Sequence, residues 1–211
     1  MRIEIFPSGP VQTNTLLLIC ETTKEAAVVD PALGAGELVI DYAKRHGLKG
    51  KKILLTHSHW DHIADLKLVA TSWRAEIYVH PEDAGNVEDP GSDGLSSPIA
   101  IEGVVPTHRI CEGDQITVGK TTWEVIETPG HTPGGICFYD AKAGVLLSGD
   151  TLFQHSYGRL DLPTSTPTAM IGSLEKLAKL PPETIVYPGH GPKTTIGEEE
   201  WMKNPRKSLK F

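Results

Sequence analysis

Short apolar runs, each closed by proline, glycine or charge, set the pattern of this chain. Ile3-Glu4-Ile5-Phe6, Thr15-Leu16-Leu17-Leu18-Ile19 and Ala26-Ala27-Val28-Val29 read as three strands. A helix follows from about Gly36 to His46, with Leu38, Val39, Tyr42 and Ala43 on one face and Gly47 where a left-handed C-terminal cap belongs. Ile53-Leu54-Leu55 is a short buried strand running into His57. A second helix starts near Asp61 and turns Ile63, Leu66, Val69 and Ala70 inward, and Glu76-Ile77-Tyr78-Val79 returns as a strand. That is a strand, helix, strand crossover. Residues 81 to 108 hold Pro81, Gly85, Pro90, Gly91, Gly94, Pro98 and Pro106 with little periodicity, which predicts a long surface excursion and a candidate lid. From Gln115 the pattern repeats, with strands near 115–118, 122–128, 135–139 and 144–148, a helix near 167–180 and a last strand Thr184-Ile185-Val186-Tyr187. Two strand-rich halves, each ending in helical cover, predict an α+β fold. It is a four-layer αββα sandwich in a single domain over 1–211, with helices outside and two mixed sheets face to face inside.

Composition narrows the class. No window approaches the run of about 18 apolar residues that a membrane helix requires, and the N-terminus lacks the apolar core of a signal peptide. The expectation is a cytoplasmic protein that does not span a membrane. A formal charge of -7 with dispersed Lys and Arg argues against nucleic acid as a partner, and Lys49 to Lys52 reads as a solvated turn before a strand. Cys20, Cys111 and Cys137 are far apart and in no C-x-x-C pair, so they read as reduced thiols in apolar strands. With 21 glycines and 16 prolines the chain has many turns, and loops are where sites live.

The chemistry concentrates in Thr56-His57-Ser58-His59-Trp60-Asp61-His62, three histidines and an aspartate within six positions. In an extended segment every second side chain faces the same way, so His57, His59 and Asp61 share one side just after a buried strand. Asp61 then stands at a helix start, where exposed N–H groups favour a carboxylate. A second signal is a repeated grammar, in which an apolar run and one or two turn residues lead to a metal-competent side chain. It leads to His57, His131, Asp150 and His190, with Gly130, Gly149 and Gly189 immediately before the last three. Glycine there permits a sharp turn and close approach. Imidazole and carboxylate without thiolate suit zinc, iron or manganese in an open site. Seven candidates are too many for one ion. Divided as His57, His59 and His131 on one and Asp61, His62 and His190 on the other, with Asp150 bridging, they make a two-metal centre of the hydrolytic sort. His46, His80, His108 and His155 stand apart, and Trp60 and Trp73 read as packing residues.

These residues resemble the metallo-β-lactamase fold superfamily through Thr-His-x-His-x-Asp-His at 56–62 and the later His131, Asp150 and His190. Thr128-Pro129-Gly130-His131-Thr132, Ser148-Gly149-Asp150-Thr151-Leu152-Phe153 and Tyr187-Pro188-Gly189-His190 look like the glyoxalase II branch, hydroxyacylglutathione hydrolases that cleave S-lactoylglutathione. The resemblance implies the αββα sandwich and the ligand division above, with two divalent ions, zinc first and iron or manganese as alternatives. Full-length members carry a helical C-terminal domain that helps hold glutathione, whereas here only 21 residues follow His190 in the 211-residue chain. Where that branch has a lysine and a tyrosine two apart, this chain has Arg159 and Asp161, and Pro192 replaces a later tyrosine. Gly158-Arg159-Leu160-Asp161 is closer to the short glyoxalase II-like proteins and the persulfide dioxygenases. Arg159 is a candidate clamp for a substrate carboxylate, and Asp161 either repels that group or pairs with Arg159 and orients it.

The expected partner is a small-molecule thioester, and the expected mechanism is attack of a metal-bridging hydroxide with no side-chain nucleophile. Three rivals stay open. One is a persulfide dioxygenase with a single iron on His57, His131 and Asp150. Another is a lactonase or β-lactamase. The third is a non-catalytic module that a metal stabilises and whose 81–108 loop binds a partner.

Overall fold

The computed structural model describes residues 1–208. Strands β1 (Arg2–Ser8), β2 (Thr13–Ile19), β3 (Glu25–Val29), β4 (Lys49–Leu54), β5 (Glu76–Val79) and β6 (His108–Arg109) lie in that order in one sheet. The first three run antiparallel and β3 to β6 parallel. The second sheet has the order β12-β11-β10-β9-β8-β7, made of β7 (Gln115–Val118), β8 (Thr121–Glu127), β9 (Ile136–Asp140), β10 (Val145–Gly149), β11 (Ile185–Pro188) and β12 (Thr194–Thr195). Only its β10/β11 pair is parallel.

Alternation along the strands builds the layers. In β2, Leu16 and Leu18 face the second sheet and pack with Val29, Leu54, Trp123, Val125, Phe138 and Leu147. Leu17 and Ile19 face the other way, onto helices α1 (Ala35–Arg45), α2 (Trp60–Ile63) and α3 (Leu66–Trp73) through Val39, Ile63 and Val69. On the far side, Ile126, Cys137, Leu146 and Val186 meet Met170, Leu174 and Leu177 of α5 (Pro167–Leu177). Every apolar run of β2 is therefore buried on both faces, which is why it reads as continuous leucine rather than as alternation. Trp123 is fully buried between the sheets, and truncating such a side chain costs about 3–5 kcal/mol. The predicted four-layer sandwich is present as one domain.

Several local expectations change. Leu38 is 52% exposed and does not join the inner face of α1. The helix expected from Asp61 onward is two pieces, because Asp65 leaves the helical ladder between them. Its side chain accepts from Gly36 N at 2.8 Å and its own N–H donates to Pro31 O at 2.9 Å. Lys49 to Lys52 are strand residues of β4 rather than a turn. Cys111 is exposed and lies outside any strand. The 81–108 excursion is not irregular throughout: it opens with α4 (Pro81–Glu88), capped by His80 Nδ1, which accepts from Glu82 N at 3.2 Å. His80 also has a partner, Glu127 Oε1 at 3.0 Å. His155 likewise is tied down, its N–H donating to Glu199 Oε2 at 2.8 Å. Among the described residues no helix is long and apolar enough to cross a membrane.

Candidate metal centre

The parallel strands β3, β4, β10 and β11 end on one edge of the sandwich, and the chemistry gathers there. His57 and His59 follow β4, Asp61 and His62 sit in α2, His131 follows β8, Asp150 follows β10 and His190 follows β11. The loop after β11 is stitched to β2 of the other sheet. Asn14 N–H donates to Gly189 O at 2.7 Å, and its side chain donates to Pro188 O at 3.0 Å and Gly191 O at 2.8 Å. Gly149 has φ +48°, and a Cβ there would collide with the Thr56 hydroxyl, so glycine is what lets β10 approach β4.

All seven sequence-predicted candidates come together. His57, His59 and His131 form one group whose donor atoms lie within 4.8 Å of one another, Asp61, His62 and His190 form another, and His57, His62 and Asp150 a third that joins them. Asp150 is the hinge of the arrangement. Its Oδ2 is 3.4 Å from both His131 Nε2 and His190 Nε2, and its Oδ1 is 3.4 Å from His62 Nε2.

The imidazoles are aimed by what their outer nitrogens touch. His62 Nδ1 faces Asp30 Oδ2 at 3.0 Å, His57 Nδ1 faces Thr56 Oγ1 at 3.1 Å, His131 Nδ1 donates to Arg159 O at 2.8 Å and His190 Nδ1 donates to Val11 O at 3.1 Å. Each therefore presents Nε2 to the centre. His59 is turned the other way, its Nδ1 standing 2.8 Å from His131 Nε2. Asp30, which sequence reasoning missed, also accepts from Thr56 N at 2.8 Å and Thr56 Oγ1 at 2.6 Å. It follows the apolar run of β3 in the same grammar that marks the other four, so the signal was there. Thr13, also missed, donates to Asp61 Oδ2 at 2.7 Å. Ser58, between two of the imidazoles, gives its N–H to Asp83 Oδ2 at 2.7 Å.

The electrostatics favour cations. His57 and His59 are held neutral: burial, and for His59 the adjacent His131, push His59 down to about 3 and His57 well below the ordinary range. Burial works against charge on His62 and His190, but Asp61, Asp150 and Asp30 around His62, and Asp150 and Asp61 around His190, outweigh it. They raise His62 well above its usual value and His190 to about 9. Burial would raise Asp61 and Asp150, yet the charge of His62 and bonds from His190 hold both below the carboxylate range. His57 Nε2, His62 Nε2 and Asp150 Oδ1 are buried with no hydrogen-bond partner among the described residues. Buried polar atoms without partners are costly, and divalent cations bound among N and O donors answer that cost. The donor set fits such ions.

A cavity of about 410 Å³ opens onto the centre, lined by Asp61, His59, His131, Asp150 and His190 together with Trp60, Leu95, Phe153, Tyr157, Arg159 and Leu162. Trp60 is thus a wall of this cavity. The Arg159 guanidinium is engaged by Asp161 at 2.8 and 2.7 Å, so the pairing alternative of the sequence reading is the one observed.

Comparisons with known proteins agree with this geometry. A hydroxyacylglutathione hydrolase, GloC, of Haemophilus influenzae is 34% identical over 97% of both chains. The crystal structure of BLEG-1, described as a B3 metallo-beta-lactamase, superposes with a TM-score of 0.88 at 39% identity, covering 97% of this chain and 99% of the other. That of TTHA1623 in a di-iron-bound form gives 0.81 at 35%, covering 95% and 98%. The family model described as the metallo-beta-lactamase superfamily matches residues 8–190. The chain belongs to the metallo-beta-lactamase superfamily of metallo-hydrolases.

Proposed function

We propose that this chain is a hydrolase that holds two divalent ions, zinc first and iron or manganese next, and cleaves a small thioester of the S-lactoylglutathione kind. The observation that carries the reading is the placement of Asp150 between two three-residue groups, with oxygens turned to both. His57, His59 and His131 would hold one ion, Asp61, His62 and His190 the other, and Asp150 would touch both. Relatives support the pairing, since TTHA1623 was crystallised with two irons. When bound, such ions polarise the carbonyl and supply a water-derived nucleophile at neutral pH.

The chain's own residues do the rest. Asp30, Thr56, Val11 and the Arg159 carbonyl fix four imidazole rings, so no reorganisation is needed when substrate arrives. Trp60, Leu95, Phe153, Tyr157 and Leu162 line the cavity and exclude bulk water from the acyl group. In the reaction water adds to the thioester carbon, the C–S bond breaks, and acid and thiol leave. No cysteine lines the cavity among the described residues, so no thiolate competes as nucleophile.

Thioester is preferred because the Haemophilus influenzae relative, matched over 97% of both chains, is described as a hydroxyacylglutathione hydrolase. A β-lactam is the second substrate, favoured by the likeness to BLEG-1. The test measures S-lactoylglutathione loss, β-lactam opening and oxygen uptake with glutathione persulfide on the same preparation. Thioester turnover that disappears in Asp150→Ala supports the reading. Full turnover in Asp150→Ala, or oxygen uptake in place of hydrolysis, overturns it.

A further inference from the structure

Asp83 has no part in the centre described above, yet it is 2% exposed and lies one layer behind it. It comes from α4, in the excursion that sequence patterning marks as a loop. Its two oxygens are both used. Oδ2 accepts from Ser58 N at 2.7 Å, and Oδ1 accepts from Gly134 N at 2.7 Å. Ser58 is the residue between His57 and His59, and Gly134 is three residues past His131. One carboxylate thus ties together the two loops that carry all three imidazoles of the first group.

The grip is tight on both sides. Asn86, one turn further along α4, donates through Nδ2 to Ser58 O at 2.8 Å and Ser58 Oγ at 3.2 Å, so the peptide groups on both sides of Ser58 are held. At the other loop, a Cβ on residue 134 would stand 2.5 Å from Asp83 Oδ1 and 2.7 Å from Asp83 N, closer than any side chain tolerates. Glycine at 134 is the condition for that contact. No comparable bond runs from Asp83 or Asn86 to Asp61, His62 or His190 among the described residues.

We infer that Asp83, seconded by Asn86, is a positioning residue for the His57, His59 and His131 group alone, setting the spacing of its two loops. α4 is then a brace under the centre and not a lid over the cavity. The inference rests on the two-ion reading above. Backbone clamps of this kind matter because donor atoms must sit within about 0.5 Å of working geometry. Loss of such outer support lowers metal affinity by roughly 10–100-fold.

The test is cobalt(II) titration of the metal-stripped protein, followed by the visible absorption of each bound ion. Asp83→Asn is nearly isosteric but turns an NH2 group toward one of the two backbone N–H groups, so one tie is lost and the local contact becomes repulsive. The expected result is two binding steps in the wild type, one of them weakened by roughly 10–100-fold with an altered visible band in Asp83→Asn, the other unchanged. Asn86→Ala frees the Ser58 carbonyl and the Gly91 N–H that Asn86 Oδ1 accepts from, but leaves the Asp83–Gly134 tie. It therefore shows a smaller loss at the same step and serves if Asp83→Asn does not fold. Circular dichroism of the stripped proteins checks that. Equal weakening of both steps, or no change in either, overturns the clamp. If the wild type takes a single ion, the two-ion reading fails, and the clamp stands only if that ion is weakened in Asp83→Asn.

Discussion

Gly189 presses its backbone against Asp150: a side chain at 189 would collide with Asp150 Oδ1 and bring its Cβ to 2.8 Å from His62 Cε1. The glycine before His190 therefore makes room for the carboxylate that joins the two groups. Gly189→Ala should fold, since β11 is otherwise untouched, but displace Asp150. A misplacement of about 1 Å at a reacting centre costs roughly 100-fold. Elemental analysis and kinetics on this variant should show fewer bound ions and that loss in kcat/KM. Wild-type values for both would contradict the crowding.

Metal uptake should release protons. His190, raised to about 9, and His62, raised well above its usual value, are protonated at neutral pH. An ion takes only the neutral ring, so apparent affinity climbs as pH rises, at least until His190 has lost its proton near pH 9. His59, pushed down to about 3, is already neutral and adds no slope above that. Titration calorimetry in two buffers of different ionisation enthalpy reads the released protons directly. A binding heat that does not depend on the buffer would refute the assignment.

Asp30 is the acceptor for Thr56 N, Thr56 Oγ1 and His62 Nδ1, all buried. Asp30→Ala strands three donors at once, and breaking a buried ionic contact costs about 3–5 kcal/mol. Denaturant unfolding of the metal-stripped variant should show a loss of that size. A midpoint within error of the wild type would mean that Thr56 and His62 find other partners.

Arg159 contributes through its carbonyl, which holds His131, while its guanidinium lies exposed in a pair with Asp161. Arg159→Ala keeps the carbonyl, so metal content stays put and turnover of a carboxylate-free thioester changes by less than about threefold, as for other exposed pairs. Asp161→Ala frees the guanidinium. KM for a carboxylate-bearing thioester should then fall by roughly tenfold, the worth of one charge-assisted bond. An unchanged KM in Asp161→Ala would remove Arg159 from substrate binding.

How much of this was legible in the sequence follows from what each signal depends on. The strands announced themselves because β2, β10 and the Ile53–Leu54 end of β4 are buried and so read as apolar runs bounded by turns. The seven residues that converge at the candidate centre were legible as a group because His57 to His62 crowd six positions and the others follow the same strand-turn grammar. Asp30 obeys that grammar too, at the end of Ala26-Ala27-Val28-Val29, but an Asp-Pro step reads equally well as an ordinary turn. Asp83 and Asn86 were hidden, since their role depends on a contact with Ser58 and Gly134 that no local pattern encodes. The same holds for α4: eight residues with a proline start and a glycine inside fall below what periodicity resolves. The break between α2 and α3 escaped because Asp65 binds Gly36, far away in sequence.

Counting ions per chain tests the central claim most directly. Elemental analysis of the purified protein, with S-lactoylglutathione turnover measured on the same sample, should give about two ions per chain. Chelation should remove ions and turnover in parallel. One iron per chain with oxygen uptake on glutathione persulfide, and no hydrolysis, would contradict the account.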